Sequence, residues 1–462
     1  MMRDEYLDLR KKLLFDSTPQ DFTQICSMFR DDCAQEFQSA SETRQQELTE
    51  IVAGVTIDMQ SYLLRWNLQR PENDEQLSQA TIEQELLANY SLLENWEAKD
   101  LLAAVRAEAA EIQRSNFRKI SLMSDAGTMN VRLGHDYASG LTKTLRKGAI
   151  LVTTNPPLVN MARKDDAAHW NAVKARLRTE HPAASSEELV SLLTMEVVLQ
   201  NCRELRPIYE ATQGKYGYVN LQINPHHSGN AVKMAEEIEW LYEKLTGVFG
   251  GTPNVVFKIP GTRAALDTAK RVTRQGIGVT VTVSFSVAQH LAFAEVIEQG
   301  NAPCSFLVMM NGRLDDPVQK ELQGLGLPDA AEVAKWGSTA IVHRSYAELC
   351  KKGYSKSFLL IASLRGPWNI DGCLTDGTLP IFITSFPDKT AEYDAQQREI
   401  ASHITEALSE ELLKKLEHSQ IFRQAYAVEG LAVEDFDSFL PVVKTLTSFR
   451  ESYDELIEYV QE

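Results

Sequence analysis

One lysine stands where a lysine is costly. In NVVFKIPGT, residues 254–262, Lys258 follows Val255, Val256 and Phe257 and precedes Ile259. A lysine inside an apolar strand loses hydration, which disfavours the ammonium and lowers its pKa. The free amine so produced can attack a polarised carbonyl. The resulting protonated imine is an electron sink for breaking the adjacent C–C bond. A strand-end lysine paired with a carboxylate is the structural alternative.

Lys258 has company. Asp125, Asn155, Gln222, Asn224, Thr282, Ser286, Arg313, Ser363 and Arg365 all fall toward the C-terminal ends of short apolar or β-branched runs. The runs are ISLMSDAG, AILVTTNP, GYVNLQINP, NVVFKIPGT, GVTVTVSFS, CSFLVMMNGR, FLLIASLRG and LPIFITSFP. Continuous apolar character marks strands covered on both faces, as in a parallel sheet. Helical stretches such as Ala231–Leu245 and Arg263–Arg274 lie between them. Strand and helix alternating about eight times predicts an α/β fold, a (β/α)8 TIM barrel, with an open doubly wound sheet as the alternative. In a barrel, polar strand ends converge on one rim.

The first part of the chain reads differently. Residues 20–70 hold no proline and one glycine, Gly54, and residues 72–126 hold neither. Leu86, Leu87, Tyr90, Leu93 and Trp96 recur at helical spacing. Thr18-Pro19 with Asp21 suggests a helix start, and Pro71 a break between two helical hairpins. Two units are therefore expected: an all-helical extension over 1–117, and a barrel with C-terminal helices over 118–462.

The 462 residues are 44% hydrophobic and 24% charged, ample for a large core. A net charge of −17 argues against nucleic acid as partner. No apolar run approaches a membrane span. Six scattered cysteines without CxxC spacing suit reduced thiols in the cytoplasm. The loop pair His226-His227 lacks a nearby third ligand, so neither a metal nor another cofactor is expected.

KIPGT after an apolar run, GVTVTVSFS with Gln289 soon after, and VTTNPPL upstream resemble the transaldolase and fructose-6-phosphate aldolase family. SDAG at 124–127, NGR at 311–313, ASLR at 362–365 and the tail TLTSFRESYDEL follow in register. The resemblance covers roughly 118–462. It implies that Lys258 is the Schiff-base lysine of the fourth strand and that Asp125 is the first-strand aspartate exchanging a proton with the substrate. It makes Thr282 the threonine that holds the catalytic water and Asn155 the anchor of a three-carbon unit. Arg313, Ser363 and Arg365 become the phosphate-binding group, a role that suits guanidinium forks.

The pattern is also broken. Where transaldolases carry a third-strand glutamate, this chain has Gln222, as the aldolase branch does. Glutamine can orient a water but cannot take its proton. The fifth-strand asparagine becomes Thr280, the sixth-strand serine Val308, and the aldolase tyrosine Met310. Transfer of a ketol unit between phosphorylated sugars is the leading expectation. An aldolase without obligatory acceptor and a silent binding barrel are the alternatives, and a homo-oligomer is compatible with each.

Overall fold

The computed structural model describes residues 2–63 and 77–462, so Pro71 lies outside the described residues. Eight parallel strands close into one barrel in chain order. They are β1 (Val131–His135), β2 (Ala149–Val152), β3 (Tyr218–Gln222), β4 (Val255–Pro260), β5 (Val279–Thr282), β6 (Ser305–Met310), β7 (Ser357–Ala362) and β8 (Ile381–Ser385). β8 pairs with β1, so no sheet edge is left open. Seven of the eight expected runs contain strands.

The eighth does not. ISLMSDAG lies largely in the helix Asn116–Asp125, capped by Ser115, whose Oγ accepts from the Arg118 amide at 3.1 Å. Its buried positions Phe117, Ile120, Ser121 and Ser124 keep helical spacing. The true first strand is VRLGH, too polar to read as an apolar run. Gly134 sits in a crowded place there: a side chain would press on the Leu151 carbonyl and Thr384 at 3.2 Å.

Inside the barrel, strand parity decides which side chains meet. Lys258 pairs with Gln222 on one side and Thr280 on the other, so the three share a face. Thr280 pairs in turn with Phe306 and Phe306 with Phe358. Phe306 and Phe358 pack on Phe382, with ring centroids 4.9 and 5.8 Å from it, and fill part of the interior.

Before β1 the described chain is helical: Met2–Lys11, Phe22–Ser39, Glu42–Asp58, Gln79–Asn95, Lys99–Arg114 and Asn116–Asp125, with π-helical turns at Lys12–Asp16 and Met59–Leu63. Pro19 sits in the turn before Phe22–Ser39, where Asp21 Oδ1 accepts from the Thr18 amide at 2.6 Å. These helices dock on the β1–β2 connection, whose own helix, Leu141–Arg146, has only six residues. Arg146 is the main tie, bonding Asp58 at 2.7 Å and Glu108 at 2.6 Å. Arg10 and Thr142 meet at Glu204 of the helix Ser186–Ala211. No helix among the described residues is long and apolar enough to cross a membrane.

Candidate active site

Lys258 is 4% exposed, in the middle of β4. Its Nζ donates to the Thr154 carbonyl, beyond the end of β2, at 3.1 Å. β3 lies between β4 and β2, so the side chain must cross the barrel interior to make this bond. Burial pushes the Lys258 amine down to about 8, partly offset by the Asp136 carboxylate. About a tenth of a group with that pKa is free amine at pH 7, against well under a thousandth for an ordinary lysine.

Asp136, directly after β1, is the carboxylate whose charge opposes the effect of burial on Lys258. Its amide donates to the Ser385 carbonyl at 2.9 Å. Thr153 donates to Asp136 Oδ1 at 2.6 Å, and the Thr153 and Thr384 hydroxyls lie 2.8 Å apart. Asp125 is elsewhere, ending the helix that precedes β1. The expectation that Asp125 stands at a strand exit is therefore corrected. ISLMSDAG forms a helix and not a strand, and the acid at the β1 exit is Asp136. The available signal was the alternation V-R-L-G-H-D, with its acid a short helix upstream of AILVTTNP.

The other expected residues distribute as follows. Gln222 and Thr280 flank Lys258 in register. Gln222 Oε1, Thr280 Oγ1 and the nearby Asn220 Oδ1 are buried without a protein partner. Buried polar atoms of this kind are met by water or ligand. Thr282 pairs with Pro260, two residues beyond Lys258, and donates to Met310 Sδ at 3.6 Å. Asn155 is the N-cap of Pro156–Asp165, its Oδ1 accepting from the Leu158 amide at 3.0 Å. The amide nitrogen is the atom left to meet a ligand.

KIPGT and SFSVAQ turn out to be one structure. Gly261 donates to the Thr282 carbonyl at 2.6 Å, and Gln289 Nε2 donates to the Gly261 carbonyl at 2.6 Å. Gln289 Oε1 accepts from the Phe285 amide at 2.9 Å. A side chain on Gly261 would meet Gln289 Nε2 and the Val283 carbonyl at 2.9 Å. Val283 and Ser363, just beyond β5 and β7, both hold positive φ, +54° and +56°. For a β-branched residue such a conformation costs roughly 1–3 kcal/mol and persists only where its surroundings impose it.

Arg313 and Arg365 gather on the β6–β7 side of the rim. Arg365 crosses the space a side chain on Gly312 would fill and pairs with Asp316 at 2.5 Å. Gly312 donates to the Ser363 carbonyl at 2.9 Å, linking the two exits. Burial and the Arg365 charge hold Arg313 below its ordinary pKa, with Asp316 opposing. An anion between the guanidinium groups would relieve that repulsion. His226 and His227 are engaged by carboxylates: His226 Nε2 meets Asp454 at 2.8 Å, and His227 Nδ1 meets Glu237 at 3.2 Å. Among the described residues no group of three or more His, Cys, Asp or Glu side chains is placed to hold a metal ion.

Residues 139–446, about two thirds of the chain, match the family described as transaldolase/fructose-6-phosphate aldolase. The chain belongs to that family. Transaldolase 2 of Nostoc sp. is 24% identical over 363 residues, covering 70% of this chain and 93% of the relative. A transaldolase of Neisseria meningitidis serogroup C is 24% identical over 338 residues, covering 69% and 91%. A transaldolase of Thiobacillus denitrificans is 27% identical over 227 residues, covering 47% and 58%. The family match begins just beyond Asp136, and β1 and its acid are placed by the geometry.

Proposed function

We propose that the protein is a Schiff-base enzyme that transfers a ketol unit of the dihydroxyacetone type between phosphorylated sugars. The observation that carries this reading is Lys258, buried with a lowered pKa inside a closed barrel and acted on by the carboxylate of Asp136. Family membership and transaldolase relatives support the reaction class.

The residues divide the chemistry. The Lys258 amine adds to the ketose carbonyl, and the carbinolamine loses water to give a protonated imine. Asp136 takes the proton from the hydroxyl beyond the scissile bond as that bond breaks. The bonding electrons pass to the iminium, leaving an enamine on Lys258 and releasing an aldehyde. An acceptor aldehyde reverses the step: the enamine carbon forms the new bond and Asp136 returns its proton. Water then releases the product ketose. Gln222 and Thr282 position that water, Asn155 and Thr280 contact the three-carbon unit, and Arg313, Ser363 and Arg365 take the phosphate. Lys258 and Arg313 need no metal or organic cofactor to do this.

Gln222 favours a second reading, an aldolase that protonates and releases the three-carbon unit without an acceptor. A glutamine cannot act as base for the water. Incubating a ketose phosphate with and without an aldehyde phosphate separates the two. Acceptor-dependent formation of a new ketose supports transfer. Equal donor cleavage in both mixtures, with free three-carbon ketone, replaces it by the aldolase. Gln222→Glu should add an ionisation to the pH profile of turnover.

A further inference from the structure

The loop that carries Asp136 is closed by the residue before it. His135 ends β1 and is fully buried. Gly134 and Asp136 share the inward parity, since Gly134 abuts Thr384 and Asp136 bonds Thr153, Thr384's neighbour. The His135 ring therefore lies on the outer side, beneath the loop. Its Nε2 is 2.7 Å from the Ser139 carbonyl, and its Nδ1 is 3.0 Å from Thr144 Oγ1. A carbonyl only accepts, so Nε2 carries the hydrogen and Nδ1 accepts from the threonine. Burial lowers the histidine's pKa and favours this neutral form.

We infer that His135 is a positioning residue for the reaction, holding Asp136 at its working place by bonding Ser139 in the loop that follows and Thr144 in the helix beyond it. Three features make this more than packing. The ring spans the turn: Ser139 lies before the left-handed Gly140 (φ +71°), and Thr144 lies in the helix Leu141–Arg146. The bonds are directional and demand one tautomer, so they define where the loop sits as well as filling space. Other ties on the loop run to neighbouring helices. Asn201 donates to the Ala138 carbonyl at 2.9 Å, Thr142 donates to Glu204 at 2.9 Å, and the Tyr137 hydroxyl donates to Asp165. Asp136 itself is held at its amide and at Oδ1, and a shift of its backbone would break both bonds. A displacement of about 1 Å at a reacting group can cost on the order of a hundredfold in rate.

The inference rests on the reading of Asp136 as proton carrier, and the experiment separates the two. His135→Phe keeps a ring and loses both bonds; His135→Gln keeps an amide donor for the Ser139 carbonyl; Thr144→Val removes the other bond and keeps the buried side chain's shape. Each variant is assayed for sugar turnover and for borohydride-reduced adduct at Lys258, beside Asp136→Asn. His135→Phe should retain adduct formation within about threefold while kcat falls on the order of tenfold to a hundredfold and KM changes little. His135→Gln should recover most of that loss, and Thr144→Val should fall between. If His135→Phe does not fold, the ordering of Gln and Thr144→Val below the parent protein carries the test. Parent-like kcat in His135→Phe, or in both Gln and Thr144→Val, would overturn the positioning role. Full turnover in Asp136→Asn would instead overturn the reading of Asp136.

Discussion

At the scale of single residues, the balance at Lys258 is between burial and one carboxylate. Burial wins and brings the amine down to about 8. Imine formation should therefore rise with pH through an ionisation near 8, measured as the rate of reductive trapping. A rise centred near 10 would mean that the amine is solvated. The same shift bears on stability. Between about 8 and the unfolded value of 10.5 the unfolded chain binds more protons than the folded one, so stability rises with pH across that window. Below it the buried lysine costs up to about 3 kcal/mol. Lys258→Met should thus be more stable than the parent at pH 7 and lose that advantage above pH 10, as denaturant melts at both pH values would reveal. Asp136→Asn should abolish turnover, while Asp125→Asn at the end of its helix should change it less than about threefold. A severe Asp125 phenotype with an active Asp136 variant would return the role to Asp125. Arg313→Ala and Arg365→Ala should weaken phosphorylated substrates by about 2–4 kcal/mol and spare unphosphorylated analogues. Equal losses on both would remove the phosphate role.

At the scale of elements, what the sequence could reveal depended on how much each element buries. β2 to β8 read correctly because strands covered on both faces are nearly continuous apolar runs. Lys258, Thr282 and Gln222 were legible because each is a polar residue in such a run. β1 was not, because its five residues include Arg132, Gly134 and His135. Arg132 stacks on Tyr216 with its guanidinium carbon 5.0 Å from the ring centroid, and Gly134 yields its place to Thr384. Neither use is visible without the neighbouring strands. The neighbouring helix Asn116–Asp125 resembles a strand in sequence because ISLM holds three apolar residues in four, although Phe117, Ile120, Ser121 and Ser124 carry the helical period. The hydroxyl pair Thr153–Thr384 joins residues 231 apart and has no local signature.

At the scale of the molecule, the helical N-terminal region and the barrel share a buried polar junction. Arg146 and Asp58 have side chains 8% and 3% exposed, and the Tyr6 hydroxyl donates to the same aspartate. Removing one partner strands the other's charge, so Arg146→Met should cost about 3–5 kcal/mol in chemical denaturation. A loss under about 1 kcal/mol would show that the two regions are only loosely joined. Parent protein whose near-UV and far-UV signals unfold in one transition would fit the same account. The central claim concerns what the closed barrel does with its buried lysine. Intact protein is incubated with a ketose phosphate, reduced with borohydride, weighed by mass spectrometry and digested for peptide mapping. The account predicts one reduced adduct per chain, located at Lys258 and absent from Lys258→Met. An unreacted parent protein, or an adduct that persists on Lys258→Met, would contradict it.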